Sequence, residues 1–482
     1  MNSRREMLKL MAATGGALVV TGGLAARTLR PDSRPVAAAA PALAGPIPPF
    51  QVAMPIPRTL RPTSRSSTTD YYTLDVQQAV TEILPGKRTT VLTYGGSLPG
   101  PVIRARSGRT VVVRQTNRIA DGTSMHLHGA VVDPANDGGP MDLIAPGATR
   151  TYTFPNRQVA ASLWYHDHAH MADAEHVYRG MSGFYLVGDA NEDSLGLPQG
   201  AYDVPVMIRD VGLDDDGSLY FDHLFTSRPQ ILVNGKPQPY FRVRARKYRL
   251  RLVNGSNLRP FEFKLDDGAS FQQISTDRGL LPAPVTLSSL PLSPGERADI
   301  VVDFSRYAAG TRIVLQNTFF ATDTTAQIMR FDVGDPAPDT SRVPAELATL
   351  PALGTPTLTR SFALTLDPAT GGGLINGRQF DENRVDFTVR QGATEIWEIS
   401  NVDQIPHNFH IHLVDFRVLD VDGTPPAPGE AGLKDIVSVM PGQKARIQVR
   451  FAYPYLGRYY YHCHLIDHGA MGMMGQFDIV RS

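Results

Sequence analysis

The chain is 482 residues long, about three domains at roughly 150 residues each. Its 47 Lys and Arg balance 47 Asp and Glu, which excludes the basic excess that a nucleic-acid binder or a polybasic membrane-surface protein needs. Hydrophobic residues at 42% and charged residues at 20% describe a folded globular chain, and 43 Gly with 38 Pro favour short strands joined by turns over long helices.

From the N-terminus, Arg4 and Arg5 stand ahead of a weakly apolar, Gly- and Ala-rich run from Leu10 to Ala26. This resembles a bacterial twin-arginine signal peptide, so residues 1–45 are expected to be signal and linker, recognised by the twin-arginine export machinery. The mature protein is then expected in the periplasm, the cell envelope or the medium, with no stable membrane span, because no other stretch approaches 18 apolar residues. The single cysteine, Cys463, excludes an intrachain disulfide; in an exported protein it is expected to be a ligand or nucleophile.

The rest of the chain reads as one unit repeated three times. Strand-like segments end in Asn117, Asn254 and Asn401, with Gly108, Ala245 and Gly392 each nine residues earlier. Pro146-Gly147, Pro294-Gly295 and Pro441-Gly442 then lead into alternating segments that run to Phe154, Phe304 and Phe451. Period-2 alternation bounded by turns predicts antiparallel strands with one buried face. The expected fold is all-β, three consecutive β-sandwich domains at 50–190, 200–335 and 358–482, with a Pro-rich linker from Asp335 to Pro356. Helical periodicity is weak apart from Asp173–Gly180.

Ten of 13 histidines fall in four clusters: His126-Leu127-His128, His166-Asp167-His168, His407-Asn408-Phe409-His410-Ile411-His412, and His462-Cys463-His464 with His468. They occupy matching places in repeats one and three: His126 lies nine residues after Asn117, and His410 nine after Asn401. Repeat two has Phe263 and Leu265 instead. Residues i and i+2 of a strand share a face, so each His-x-His presents two imidazoles together. Imidazole suits Cu, Zn or Fe, and eight are too many for one ion but suit a cluster of three. Cys463 must point opposite to its two neighbours, into the interior of repeat three. There His407, Cys463 and His468, with Met473 as a weak axial group, make the His₂Cys set of a blue-copper electron-transfer site. Zinc would account for the ligands but not for a cysteine wired between two of the clustered histidines.

These motifs resemble those of the three-domain multicopper oxidases, a family that includes laccases, bilirubin oxidase and copper-efflux oxidases. The resemblance covers the whole mature chain. It implies cupredoxin-like Greek-key domains and four copper ions, one type 1, one type 2 and two type 3. His126 and His410 would hold the type 2 copper, and His128, His166, His168, His412, His462 and His464 the type 3 pair. Asp137, before Gly138-Gly139-Pro140, sits where many members have an acidic residue assisting proton delivery. Leu127 replaces a common Trp, and Gly469 replaces a Glu that several bacterial relatives carry, so the proton route is expected through Asp137 or Asp467. His170 is expected to be a loop or surface histidine, and the methionines near the motifs to pack.

The implied activity is one-electron oxidation of a small reducing substrate at type 1 copper, coupled to four-electron reduction of dioxygen to water. The substrate is a phenol, an aromatic amine or a metal ion. Copper-efflux oxidases carry a Met-rich insert in domain three, and no Met occurs here between Met329 and Met440, which favours organic substrates. The alternatives are a metallo-oxidase acting on Cu(I), Fe(II) or Mn(II), a non-catalytic cupredoxin-fold envelope protein, which would have lost ligands, and a copper nitrite reductase, which would have fewer domains and histidines.

Overall fold

A computed structural model describes residues 47–322 and 324–481; the twin-arginine segment lies outside the described residues. Six sheets stack in pairs into three β-sandwiches. In the first, strands Ser64–Arg65, Thr69–Thr73, Thr110–Thr116 and Thr149–Phe154 face Gly100–Arg106, Ser182–Gly188, Ala161–Asp167 and Met125–His128. The third has Gly373–Ile375, Leu358–Leu366, Thr394–Asn401, Lys444–Arg450 and Phe416–Val421 over Phe387–Arg390, Met474–Val480, Gly457–His462, His407–Ile411 and Ile436–Val439. Between them, the middle sandwich pairs an eight-stranded sheet with a five-stranded one. Each closes on its own apolar core, around Tyr152 and Leu163, around Phe263 and Ile300, and around Trp397 and Phe409.

The repeated Asn and Pro-Gly markers turn out to bond to each other. Asn117 Nδ2 donates to Asp121 O and Ile144 O, Asn254 Nδ2 to Arg259 O and Leu292 O, and Asn401 Nδ2 to Ile405 O and Val439 O. Gly147, Gly295 and Gly442 each donate a backbone N–H to the carbonyl of their own Asn. A strand end buried between sheets must satisfy its polar groups internally, and one side-chain amide with one tight turn does so in every copy.

Two details differ from the sequence reading. The sheets are not purely antiparallel: each sandwich has two parallel pairings, such as Thr69–Thr73 with Thr110–Thr116 and Leu358–Leu366 with Thr394–Asn401. Alternation reports which face is buried, not strand direction, so it could not reveal them. The Asp335–Pro356 linker begins inside a strand that runs Gln327–Pro336, and its Leu347 is buried against Ile274, Leu281 and Val301 of the middle sandwich. The helix Asp173–Arg179 is where periodicity placed it.

Candidate metal centres

Strand register brings the histidines together. His126 lies opposite His166 on the strands Met125–His128 and Ala161–Asp167, and His410 lies opposite His462 on His407–Ile411 and Gly457–His462. The two sandwiches meet through these strands, so His126 stacks on His412 with ring centres 4.0 Å apart, and His128 on His410 at 3.8 Å. His168 and His462 are 4.9 Å apart, and His166 and His464 5.2 Å. All eight rings are buried.

Their hydrogen bonds decide which nitrogens face inward. Nδ1 of His126 donates to Asp137 O at 2.7 Å, of His166 to Asp167 O, of His410 to Asp435 O and of His462 to Cys463 O. His168 Nδ1 donates to Asp173 Oδ2, and His412 Nδ1 to Asp137 Oδ2 at 2.7 Å. In each of these rings the opposite nitrogen keeps a lone pair. His128 is reversed: its Nε2 donates to Asp435 Oδ1, which leaves Nδ1 free. Burial holds His126, His128, His410, His412, His462 and His464 well below their ordinary value, and His166 at about 3, so these imidazoles are neutral.

The inward nitrogens lack partners in the protein. His126 Nε2, His128 Nδ1, His168 Nε2 and His410 Nε2 are buried without a hydrogen bond, and His464 Nε2 meets only His166 Nε2, at 3.4 Å. His412 Nε2 faces His462 Nε2 at 3.2 Å, and both hold lone pairs. Buried acceptors pointed at one another cost free energy unless something electropositive lies among them, and this donor set fits metal cations.

The second centre is built by strand geometry. His407 and His410 are three residues apart, so they leave opposite faces of one strand, and His407 enters the core of the third sandwich. Its Nδ1 lies 3.1 Å from His468 Nδ1 and 3.7 Å from Cys463 Sγ, while His468 Nδ1 is 3.9 Å from the sulfur. Burial pushes the Cys463 thiol up, but hydrogen bonds with His407 and His468 outweigh it and bring the thiol to about 6. Burial would likewise depress His407; the hydrogen bond to Asp403 Oδ2 and the Cys463 sulfur lift it to about 9. Met473 is fully buried, with its backbone bonded to Cys463 N and His468 O.

Multicopper oxidase family models match residues 75–192 and 344–482. The laccase of Bacillus subtilis strain 168 is 34% identical, across 89% of this chain and 98% of its own. The chain belongs to the multicopper oxidase family. Bilirubin oxidase of Albifimbria verrucaria is 35% identical across 89% of this chain and 81% of its own. The crystal structure of a laccase from Pediococcus acidilactici superposes with a TM-score of 0.82 at 34% identity, over 90% of this chain and 95% of that one. This multicopper oxidase is therefore a copper-dependent oxidoreductase that uses dioxygen, with the cupredoxin fold in three copies.

The two carboxylates expected on the proton route part company. Asp137 ends the short helix Pro134–Asp137 and is buried against His126 and His412, and burial raises it to about 7. Asp467 is gripped by Arg228 Nη1 and Nη2 at 3.2 and 3.0 Å and by His223 Nδ1 at 2.9 Å, which overcome burial and lower it to about 2. Of the remaining histidines, His223 is half exposed, His170 is partly buried against Phe380, and His176 is buried on Asp167 Oδ2. Residues that spacing did not reveal complete the site: Trp164, whose ring lies 4.4 Å from that of His166, Asp403, Asn408 and Asp435.

Proposed function

We propose that this oxidase is laccase-like, taking electrons singly from phenols or aromatic amines and passing them to dioxygen. The domains are divided at 50–190, 200–335 and 358–482, the outer two sharing the ligands. His407, Cys463, His468 and Met473 would hold type 1 copper, and His126 with His410 type 2. The donor atoms of His168, His412 and His462 lie within 4.8 Å of one another and suit one type 3 ion; His128, His166 and His464 suit the other. When bound, copper supplies one-electron acceptance at the cysteine centre and four-electron delivery to dioxygen at the cluster.

The chain's own part is placement. Cys463 lies between His462 and His464, and its carbonyl accepts from His462 Nδ1 at 3.1 Å, so one residue joins both centres covalently and by a hydrogen bond. That continuity is the observation that carries the reading, since a zinc protein has no use for it. Asp403 orients His407, and Asp137 orients His126 and His412 while offering a carboxyl that can hold or release a proton beside the cluster. Export through the twin-arginine route, to the periplasm, envelope or medium, belongs to the same proposal. Among the described residues no helix is long and apolar enough to cross a membrane.

Metal analysis should return four coppers per chain with a blue thiolate-to-copper band; zinc, or a colourless copper-loaded protein, refutes the assignment. Steady-state rates on a phenol, an aromatic diamine and Cu(I), side by side, then decide the substrate. Faster turnover of Cu(I) than of either organic donor would favour the metallo-oxidase. Cys463→Ser should abolish both the band and substrate oxidation.

A further inference from the structure

The middle sandwich holds none of the residues assigned above, yet it walls one side of the cluster. A Cβ on Gly295 would lie 2.7 Å from His464 Nδ1 and 2.6 Å from Ile436 Cδ1, so this turn is pressed onto a ligand. Ser293 Oγ and Pro294 O accept from Asn408 Nδ2 at 2.9 and 3.0 Å, and Asn408 Oδ1 accepts from His464 N at 2.6 Å.

Two residues beyond the turn, Arg297 reaches into the same seam and is 1% exposed. Its fork donates from Nη1 to Asp435 Oδ1 at 2.6 Å and from Nη2 to Asp435 Oδ2 at 2.8 Å. The guanidinium is held in turn by Ser162 O, Gly295 O and Asp277 O at 2.8–3.2 Å. Asp435 Oδ1 accepts from His128 Nε2 at 3.1 Å. Gly129 makes room for the fork: at φ 85° its Cβ would lie 2.8 Å from Arg297 Nη2 and 2.9 Å from Asp435 Oδ2. A second arginine of the middle sandwich, Arg278, donates to Gly129 O and Leu413 O, the carbonyls that follow His128 and His412.

Asp435 is hazardous where it stands. With His128 and His410 it forms a donor set, all within 4.8 Å, that could hold a metal ion of its own. A carboxylate with both oxygens engaged by a guanidinium fork is a poor competitor for metal, and its fixed plane allows one imidazole orientation. Resting on the copper assignment above, we infer that Arg297 is a positioning residue for the trinuclear site. By clamping Asp435 it keeps His128 donating from Nε2 and offering Nδ1, and it keeps Asp435 from becoming a ligand. The sandwich without ligands thus sets the geometry of a site built by the other two.

The test uses the full copper-loaded chain and four variants: Arg297→Met, Arg297→Lys, the double variant Arg297→Met with Asp435→Asn, and Arg259→Met. The last removes a buried arginine of the same sandwich that pairs with Asp210 and Arg228 O instead of with Asp435. Copper per chain, the blue band and the paramagnetic resonance of the type 3 pair are compared with the unmodified chain. Arg297→Met should keep the blue band while the type 3 positions bind copper about 10- to 100-fold more weakly or turn from spin-coupled to paramagnetic. Lys, which cannot fork, should recover only part of this. Should the single variant fail to fold, the double variant, which leaves no unpaired charge, is read instead and should show the same type 3 defect. Arg259→Met should lower the melting temperature and leave the type 3 signature intact. A full complement of spin-coupled type 3 copper in Arg297→Met, or in the double variant when that is the one read, overturns the inference, as does an equal type 3 defect in Arg259→Met. Absence of copper from the unmodified chain would instead overturn the assignment on which it rests.

Discussion

Replacing Asp137 or Met473 tests the proposed division between ligand holding and chemistry. Reduction of dioxygen to two waters consumes four protons. Gly469 brings no side chain, and Arg228 and His223 hold Asp467, so of the two carboxyls the sequence offered Asp137 is the one that bonds to a cluster histidine. Asp137→Ala should keep the blue band and the copper content while slowing reoxidation of the reduced enzyme about 10- to 100-fold, with partial recovery in Asp137→Glu. Stopped-flow reoxidation at the unmodified rate would make Asp137 a structural residue only. Met473→Leu should keep the colour and raise the type 1 reduction potential, because removing a weak axial donor destabilises oxidised copper. A redox titration with an unchanged midpoint would show that Met473 is not axial.

The short helix Pro134–Asp137 depends on the glycine that ends it. Gly138 has φ 70°, and a Cβ there would collide with Met125 O and lie 2.8 Å from His126 N. Gly147 has a similar φ of 78° with open space around it. Gly147→Ala should therefore cost only the left-handed penalty of about 1–2 kcal/mol. Gly138→Ala must in addition push the helix off the Met125–His128 strand, carrying Asp137 away from His412. We expect a larger loss of melting temperature than for Gly147→Ala and reduced copper content. Equal melting temperatures would mean that the turn relaxes without moving the strand.

Across the whole molecule, the sandwiches are joined by buried charge as well as by ligands. Asp203 of the middle sandwich accepts from Arg251 at 2.6 Å and from Arg104 of the first sandwich at 3.0 Å. Burial raises its carboxyl, but Arg251 and Arg249 prevail and hold it well below the ordinary range. A carboxyl depressed in the folded state contributes stability above its unfolded value, near pH 4, and loses it as pH falls toward the folded one. Melting temperature should thus drop with acidification below about pH 4. Asp203→Asn should cost about 3–5 kcal/mol at neutral pH, by stranding arginine charge, and flatten the acid slope. An unaltered slope would show that other carboxylates govern acid unfolding.

The histidine and cysteine clusters of the candidate metal sites are legible along the chain because they are written in short-range spacing. His-x-His puts two rings on one strand face, a spacing of three sends His407 and His410 to opposite faces, and a cysteine between two histidines must point away from both. The repeated Asn and Pro-Gly pairs were visible for a similar reason, since each copy solves the same strand-end problem within about 40 residues. Strand direction was hidden, because parallel and antiparallel strands share one side-chain period. Asp435, Arg297 and Trp164 carried no signal, and Asp137 and Asp467 looked alike. What separates those two carboxylates is His412, 275 residues from the first, and Arg228, 239 residues from the second. Local periodicity dictates which face of a strand a side chain leaves. Only the docking of three sandwiches dictates what it meets there, and that meeting sets one buried carboxylate on a histidine of the cluster and the other on an arginine fork.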